Sequence, residues 1–131
     1  MIKRLFSTLV CGFVLGISTL AAQAVVTFKE TEHNFGKFFS NKEQVYVFKF
    51  KNTGNKPLVI EQATTSCGCT VPSYTQAPIA PGKSGEIKVV YNGRGKNPGE
   101  FKKVITVRSN ASNELVRLYI MGDMEEAKAG K

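Results

Sequence analysis

Apolar residues recur at every second position through most of this chain, and no stretch after the first 24 residues repeats with a helical period. Tyr46, Phe48 and Phe50 alternate with Val47, Lys49 and Lys51, the pattern of a strand with one face turned to a core. Ile87, Val89 and Tyr91 do the same against Glu86 and Lys88, and Val116, Leu118 and Ile120 mark a last strand. Phe101, Ile105 and Val107 mark another, imperfectly, because Lys103 shares their parity. Leu58 and Ile60 point inward on a strand of their own, and residues 25–28 and 35–39 read as the opening strands. Between these runs lie turn signals. Asn52-Thr53-Gly54-Asn55-Lys56-Pro57 predicts a hairpin turn, since Asn and Gly tolerate positive φ. Pro81-Gly82, the loop over 92–99 and Ser109-Asn110-Ala111-Ser112-Asn113 turn the chain again.

The pattern predicts about seven short strands, which must bury their apolar faces against each other as an all-β antiparallel sandwich. Its core is predicted to be Phe48, Phe50, Leu58, Ile60, Ile87, Val89, Ile105, Val107, Leu118 and Ile120. The strand over 25–28 is predicted to be an exposed edge, open to a partner's strand. Residues 123–131, mostly polar or small, read as a flexible tail.

Residues 1–24 have the three parts of a secretory signal: Lys3 and Arg4, an apolar run from Leu5 to Leu20, and Ala22-Gln23-Ala24 as a small-residue cleavage site. Ser7, Thr8, Ser18 and Thr19 interrupt the run, which falls short of the roughly 20 mostly apolar residues a membrane span needs. Val10 before Cys11 does not fit a lipoprotein start. The expectation is export to the periplasm or beyond the cell, a mature chain from Val25 with no transmembrane span, and one domain over 25–122. Of 131 residues, 107 follow the first 24, enough for one compact domain. Losing Lys3 and Arg4 lowers the formal net charge from +8 to +6. The excess is dispersed, and export argues against nucleic acid as a partner. An envelope protein or an anionic envelope polymer is the expected partner class.

Cys11 lies in the signal, so the mature chain keeps Cys67 and Cys69, flanking Gly68 in Thr65-Ser66-Cys67-Gly68-Cys69-Thr70. On a straight strand such residues have Cα atoms about 6.5 to 7 Å apart, at or beyond disulfide range. Closure therefore needs a bend, and Gly68 can supply one. A bonded pair or a packed pair is the simplest reading. Two thiolates would alternatively suit a soft ion such as Cu(I) better than zinc, which takes four ligands in structural sites. The candidate ligands are then Cys67, Cys69 and the lone histidine His33, with Met121 and Met124 as weaker thioether candidates. Thiol-disulfide exchange is a third reading, although the pair has neither a Cys-x-x-Cys spacing nor a helix start to lower a thiol pKa.

Other apparent motifs fail on spacing. Gly82-Lys83-Ser84 has Ala77 where a phosphate loop needs its first glycine, and no helix follows. The glycines of 93–99 fit a long hairpin loop. Asn110-Ala111-Ser112 matches a glycosylation sequon by composition alone. One histidine and no paired carboxylates leave a hydrolase without its base.

His33-Asn34-Phe35-Gly36, Phe50-Lys51-Asn52-Thr53-Gly54-Asn55-Lys56-Pro57-Leu58, Cys67-Gly68-Cys69-Thr70, Pro81-Gly82-Lys83-Ser84-Gly85 and Ser109-Asn110 together resemble the bacterial domain of unknown function 1573 family. The resemblance covers nearly the whole mature chain. It implies an immunoglobulin-like sandwich of the Hydin and major sperm protein type in an exported envelope protein, and it brings no activity with it. The reading is a non-catalytic binding or structural module that needs no cofactor. Its alternative is a thiol-based copper or redox protein using Cys67 and Cys69.

Overall fold

A computed structural model describes residues 22–127. The chain forms eight strands: β1 Val26–Phe28, β2 Glu32–Phe39, β3 Gln44–Asn52, β4 Ile60–Thr64, β5 Thr70–Tyr74, β6 Ser84–Tyr91, β7 Gly99–Ser109 and β8 Leu115–Glu125. They build two four-stranded sheets, in the orders β1-β3-β6-β5 and β2-β8-β7-β4. The all-β sandwich predicted from the alternation is the fold, of the immunoglobulin-like type that the family resemblance implied. On β6 the alternation is nearly strict, with Gly85, Ile87, Val89 and Tyr91 buried and Ser84, Glu86 and Lys88 exposed. All ten predicted core residues are buried between the sheets, and full burial of each large aliphatic or aromatic side chain contributes about 1.5 to 3 kcal/mol. Ala24, Val26, Cys69, Ile79, Tyr91, Ala111 and Met124 complete the core. Lys103 keeps the inward parity noted in the sequence and is half-buried.

The eighth strand is β5, Thr70–Tyr74, where the alternation predicted none; both opening strands form as expected. β1 pairs antiparallel with β3 in the first sheet, and the chain then crosses so that β2 pairs with β8 in the second. The β2–β8 pair is parallel, which alternation cannot reveal because both directions share a period of two. A bulge between Asn34 and Lys37 shifts the register of that pair, and Gly36 sits within it at φ 74°, a conformation glycine adopts without steric cost.

The turn over 52–57 is not a hairpin: β3 and β4 lie in different sheets. The segment is an arch between layers, organised by Asn52, which is fully buried. Its Oδ1 accepts the N–H groups of Val25 at 3.3 Å and Gly54 at 2.9 Å, and its Nδ2 donates to the carbonyls of Lys56 at 2.7 Å and Ile79 at 2.9 Å. A buried carboxamide is tolerated when its donors and acceptors are used, and here they are. Gly54 is needed for closeness rather than for positive φ, since a Cβ there would overlap the Gln23 carbonyl. The loop over 92–99 also crosses between sheets, from β6 to β7, rather than joining a hairpin. Hairpins do connect β5 to β6 and β7 to β8.

The predicted tail begins too early. β8 continues to Glu125, because Met124 is buried beneath Gly93 and its neighbours pair with β7 and β2; residues 128–131 lie outside the described part. Most of the predicted signal also lies outside it. Its last residues do not: Ala24 is buried, its carbonyl accepts the Ser112 N–H, and Gln23 exchanges hydrogen bonds with Asn55.

Candidate functional site

The Cys-Gly-Cys segment forms the bend that carries the chain from β4 in one sheet to β5 in the other. Cys67 and Cys69 are joined by a disulfide, with their Cα atoms drawn to 5.2 Å, well short of the straight-strand separation. Gly68 is exposed, with open space where a Cβ would lie. The two sulfurs differ in setting. Cys69 is 5% exposed and belongs to the core, whereas Cys67 is half-buried at its margin. The Cys69 N–H donates to Cys67 Sγ at 3.3 Å, and Cys69 Sγ lies 3.8 Å from the Thr70 hydroxyl. The Thr70 N–H closes the bend on the Cys67 carbonyl at 3.1 Å.

The other candidate ligands do not join this pair. His33 is on β2, on the opposite lateral side of the sandwich from β4 and β5. Its ring stacks on Tyr46 with centroids 3.7 Å apart and meets the Phe35 ring edge-on at 4.8 Å. Burial among these rings lowers its pKa below the ordinary imidazole value, against the opposing pull of the Glu30 charge. The Tyr46 hydroxyl donates to Glu30, and this bond, with lesser help from burial and the Glu30 charge, raises the phenol's pKa. Met124 is a core residue. Among the described residues no group of three or more His, Cys, Asp and Glu side chains is placed to hold a metal ion.

The sequence did not reveal how the four edge strands end. On β1, the edge predicted to be open, Val26 is capped by the Asn113 side chain, whose Oδ1 accepts the Val26 N–H at 3.1 Å and whose Nδ2 donates to the Val26 carbonyl at 2.7 Å. On β5, the bonds of Cys69 to Asn92 and Thr75 to Glu86 turn the backbone groups of odd-numbered residues toward β6, so the backbone groups of Thr70, Pro72 and Tyr74 point to the open edge. The Thr70 N–H is already used in the bend, and Pro72 has no N–H to offer. On β4, the Glu61 carbonyl accepts the Tyr74 hydroxyl at 3.2 Å. β2 is different. Its Thr31 carbonyl, just before the strand, accepts from Tyr119, and Ser40, just after it, donates to Glu125. Alternation across the bulge therefore turns Glu32, Asn34 and Lys37 outward, and among the described residues their backbone groups have no partner on that side.

An exposed apolar row crosses the outer face of the first sheet. Val45, Val90 and Val71 are directly paired neighbours on β3, β6 and β5; Val45 is 50% exposed and Val71 58%.

Similarity to solved structures agrees with this architecture. A protein of unknown function from Porphyromonas gingivalis W83 superposes with a TM-score of 0.69 at 17% identity, over 83% of this chain and 50% of that one. The PapD-like domain 7 of human CEP192, an ASH domain, gives 0.66 at 10% identity, over 98% of both chains. The periplasmic chaperone SfaE gives 0.60 at 10% identity, over 79% of this chain and 60% of the chaperone. The chain thus spans half the length of the first of these structures, and at such identities the likeness is one of fold. No curated protein matches the sequence. Residues 26–124 match the family described as protein of unknown function (DUF1573), and with nearly the whole sandwich inside that match the chain belongs to this family.

Proposed function

We propose that the protein is an exported, non-catalytic binding module of the bacterial cell envelope, and that it takes an extended segment of a partner protein along the open edge of β2. The carrying observation is the contrast between edges. Val26 on β1 is capped by Asn113, β5 offers a proline where a donor would face outward, and Glu61 on β4 is occupied by Tyr74. Among the described residues, Phe28 on β1 and Ala63 on β4 each leave outward backbone groups singly without a partner, whereas Glu32, Asn34 and Lys37 on β2 form a row of three with no cap. An uncapped row of this kind pairs readily with an added strand. Beside it the bulge opens a hollow lined by Asn34, Gly36, Lys37, Phe101 and Asp123, where a side chain of that strand can sit. Chaperone-type and ASH neighbours in fold support a protein partner over an envelope polymer. Lys3, Arg4, the apolar run and Ala22-Gln23-Ala24 support export.

Photo-crosslinkers placed at Lys37 on β2 and at Gln62 on β4, in cells, test this reading. The expected result is a discrete protein adduct from Lys37, absent from Gln62, that disappears in Glu32→Pro, a change that removes an outward N–H without touching the β2–β8 ladder. Adducts from Gln62 instead, or an adduct indifferent to Glu32→Pro, would overturn it. So would adducts to polysaccharide alone.

A further inference from the structure

We propose that Cys67–Cys69 is an exchange disulfide, a site that accepts electrons from the thiols of cysteine-containing polypeptides by attack at Cys67. A bridge across one intervening residue closes a very small loop, so it constrains the unfolded chain little compared with bridges across long loops. It also joins no two strands. Its position is chemical rather than mechanical: the bend between two edge strands, where opening the bond leaves both sheet ladders in place.

Access decides which sulfur reacts. Thiolate attack runs along the S–S axis at the sulfur it can reach, and Cys67 lies at the margin beside exposed Ser66 and Gly68, while Cys69 is 5% exposed. An incoming thiolate would bond to Cys67 Sγ and form a mixed disulfide, and the S–S electron pair would leave with Cys69 Sγ. The Thr70 hydroxyl, 3.8 Å from that sulfur, is placed to hydrogen-bond the departing thiolate, which then takes a proton from solvent. A second thiolate of the same polypeptide attacks the sulfur of the first. Its attack releases Cys67 as a thiolate that keeps the Cys69 N–H at 3.3 Å as a donor. Two thiols are thereby oxidised to a disulfide, and the Cys67–Cys69 pair is reduced to a dithiol.

The surroundings favour a polypeptide over a small thiol. Val71, two residues beyond Cys69, begins the exposed row that continues through Val90 to Val45, so an extended chain bearing a cysteine has apolar surface to rest on as its sulfur reaches Cys67.

Three measurements on chains carrying Cys11→Ser, which makes the pair the only source of thiols, test the proposal. Alkylation and intact mass in graded glutathione buffers should show the bond opening and reclosing while circular dichroism stays native. With a disulfide reagent, the thiol of Cys69→Ser should react at least tenfold faster than that of Cys67→Ser, both variants being folded. A reduced dithiol peptide with apolar residues beside its cysteines should reduce the bond several-fold faster than glutathione at equal thiolate, and Val71→Lys should remove that advantage while leaving the glutathione rate unchanged. Reduction only under unfolding conditions would overturn the proposal, as would a more reactive Cys69. Equal peptide and glutathione rates would overturn the polypeptide assignment and make small thiols the reductant.

Discussion

The two lateral sides of the sandwich are finished in different ways. Where β4 meets β5, a tight bend holding the Cys67–Cys69 bond carries the chain across, Tyr74 bonds to Glu61, and the backbone of Pro72 on the outward edge has no donor to offer. Where β1 meets β2, it is filled by rings, with His33 stacked on Tyr46 and Phe35 and Phe38 in edge contact, and among the described residues the outward backbone groups of Glu32, Asn34 and Lys37 on β2 have no cap. Closing a sandwich is therefore separable from protecting its edges. One side closes its margin and covers most of its outward backbone, and the other fills its core margin while leaving a longer row of donors and acceptors exposed among the described residues.

The comparison breaks most completely if the shared core goes. Leu118, fully buried on β8, serves both sides, and Leu118→Ala should cost about 2 to 5 kcal/mol, read as a lowered midpoint in denaturant with the difference between edges lost along with the fold. Removing the bridge should strike one side only. Cys67→Ser with Cys69→Ser should cost roughly 1 to 2 kcal/mol, the order expected for so short a loop, and thermal melting that shows a much larger loss would mean Cys69 packing, not the bond, holds that side together.

Smaller changes sharpen the contrast. Asn113→Ala uncaps Val26 on β1 and should cost about 1 kcal/mol, with a second protein adduct appearing from a crosslinker at Thr27 if open backbone alone recruits partners. Pro72→Thr restores a donor on the outward edge of β5. Its stability should change by less than about 1 kcal/mol, but light scattering should detect concentration-dependent association absent from the parent, and no association would show that Pro72 is not what protects this edge.

The smallest effect concerns the ring-filled side. Burial holds the folded-state pKa of His33 below its unfolded value of 6.5, so the unfolded chain binds the proton first as pH falls. Stability from this residue is complete above pH 6.5 and declines below it until the folded-state pKa is passed. The melting temperature should drop modestly between pH 7 and 5, and His33→Gln should flatten that part of the profile; an unchanged slope in the variant would assign the dependence elsewhere.

Period-two alternation identifies seven of the eight strands and ten core residues, because a half-buried strand must place one parity in the core whatever sheet it joins; it misses β5, whose inward positions begin with Thr70 and Pro72 rather than large apolar residues. Sheet membership was not legible. Asn52 to Pro57 has the composition of a hairpin, but the carboxamide of Asn52 ties the turn's own Gly54 and Lys56 to the distant Val25 and Ile79, each 27 residues away, and the segment is an arch. Met124 falls in the segment the composition reads as tail, because a single flexible apolar residue among polar ones shows no period, yet it is buried on β8.

Local chemistry thus determined every strand but β5, the core parity, the bend at Gly68 and the pairing capacity of two neighbouring cysteines, since each depends on residues close in sequence. The tertiary structure decided which strands pair, that β2 runs parallel to β8, that His33 and the cysteines lie on opposite sides, and which edge stays open. Those outcomes rest on contacts such as Asn113 on Val26, separated by 87 residues, and the alternation of apolar positions does not specify which distant groups meet.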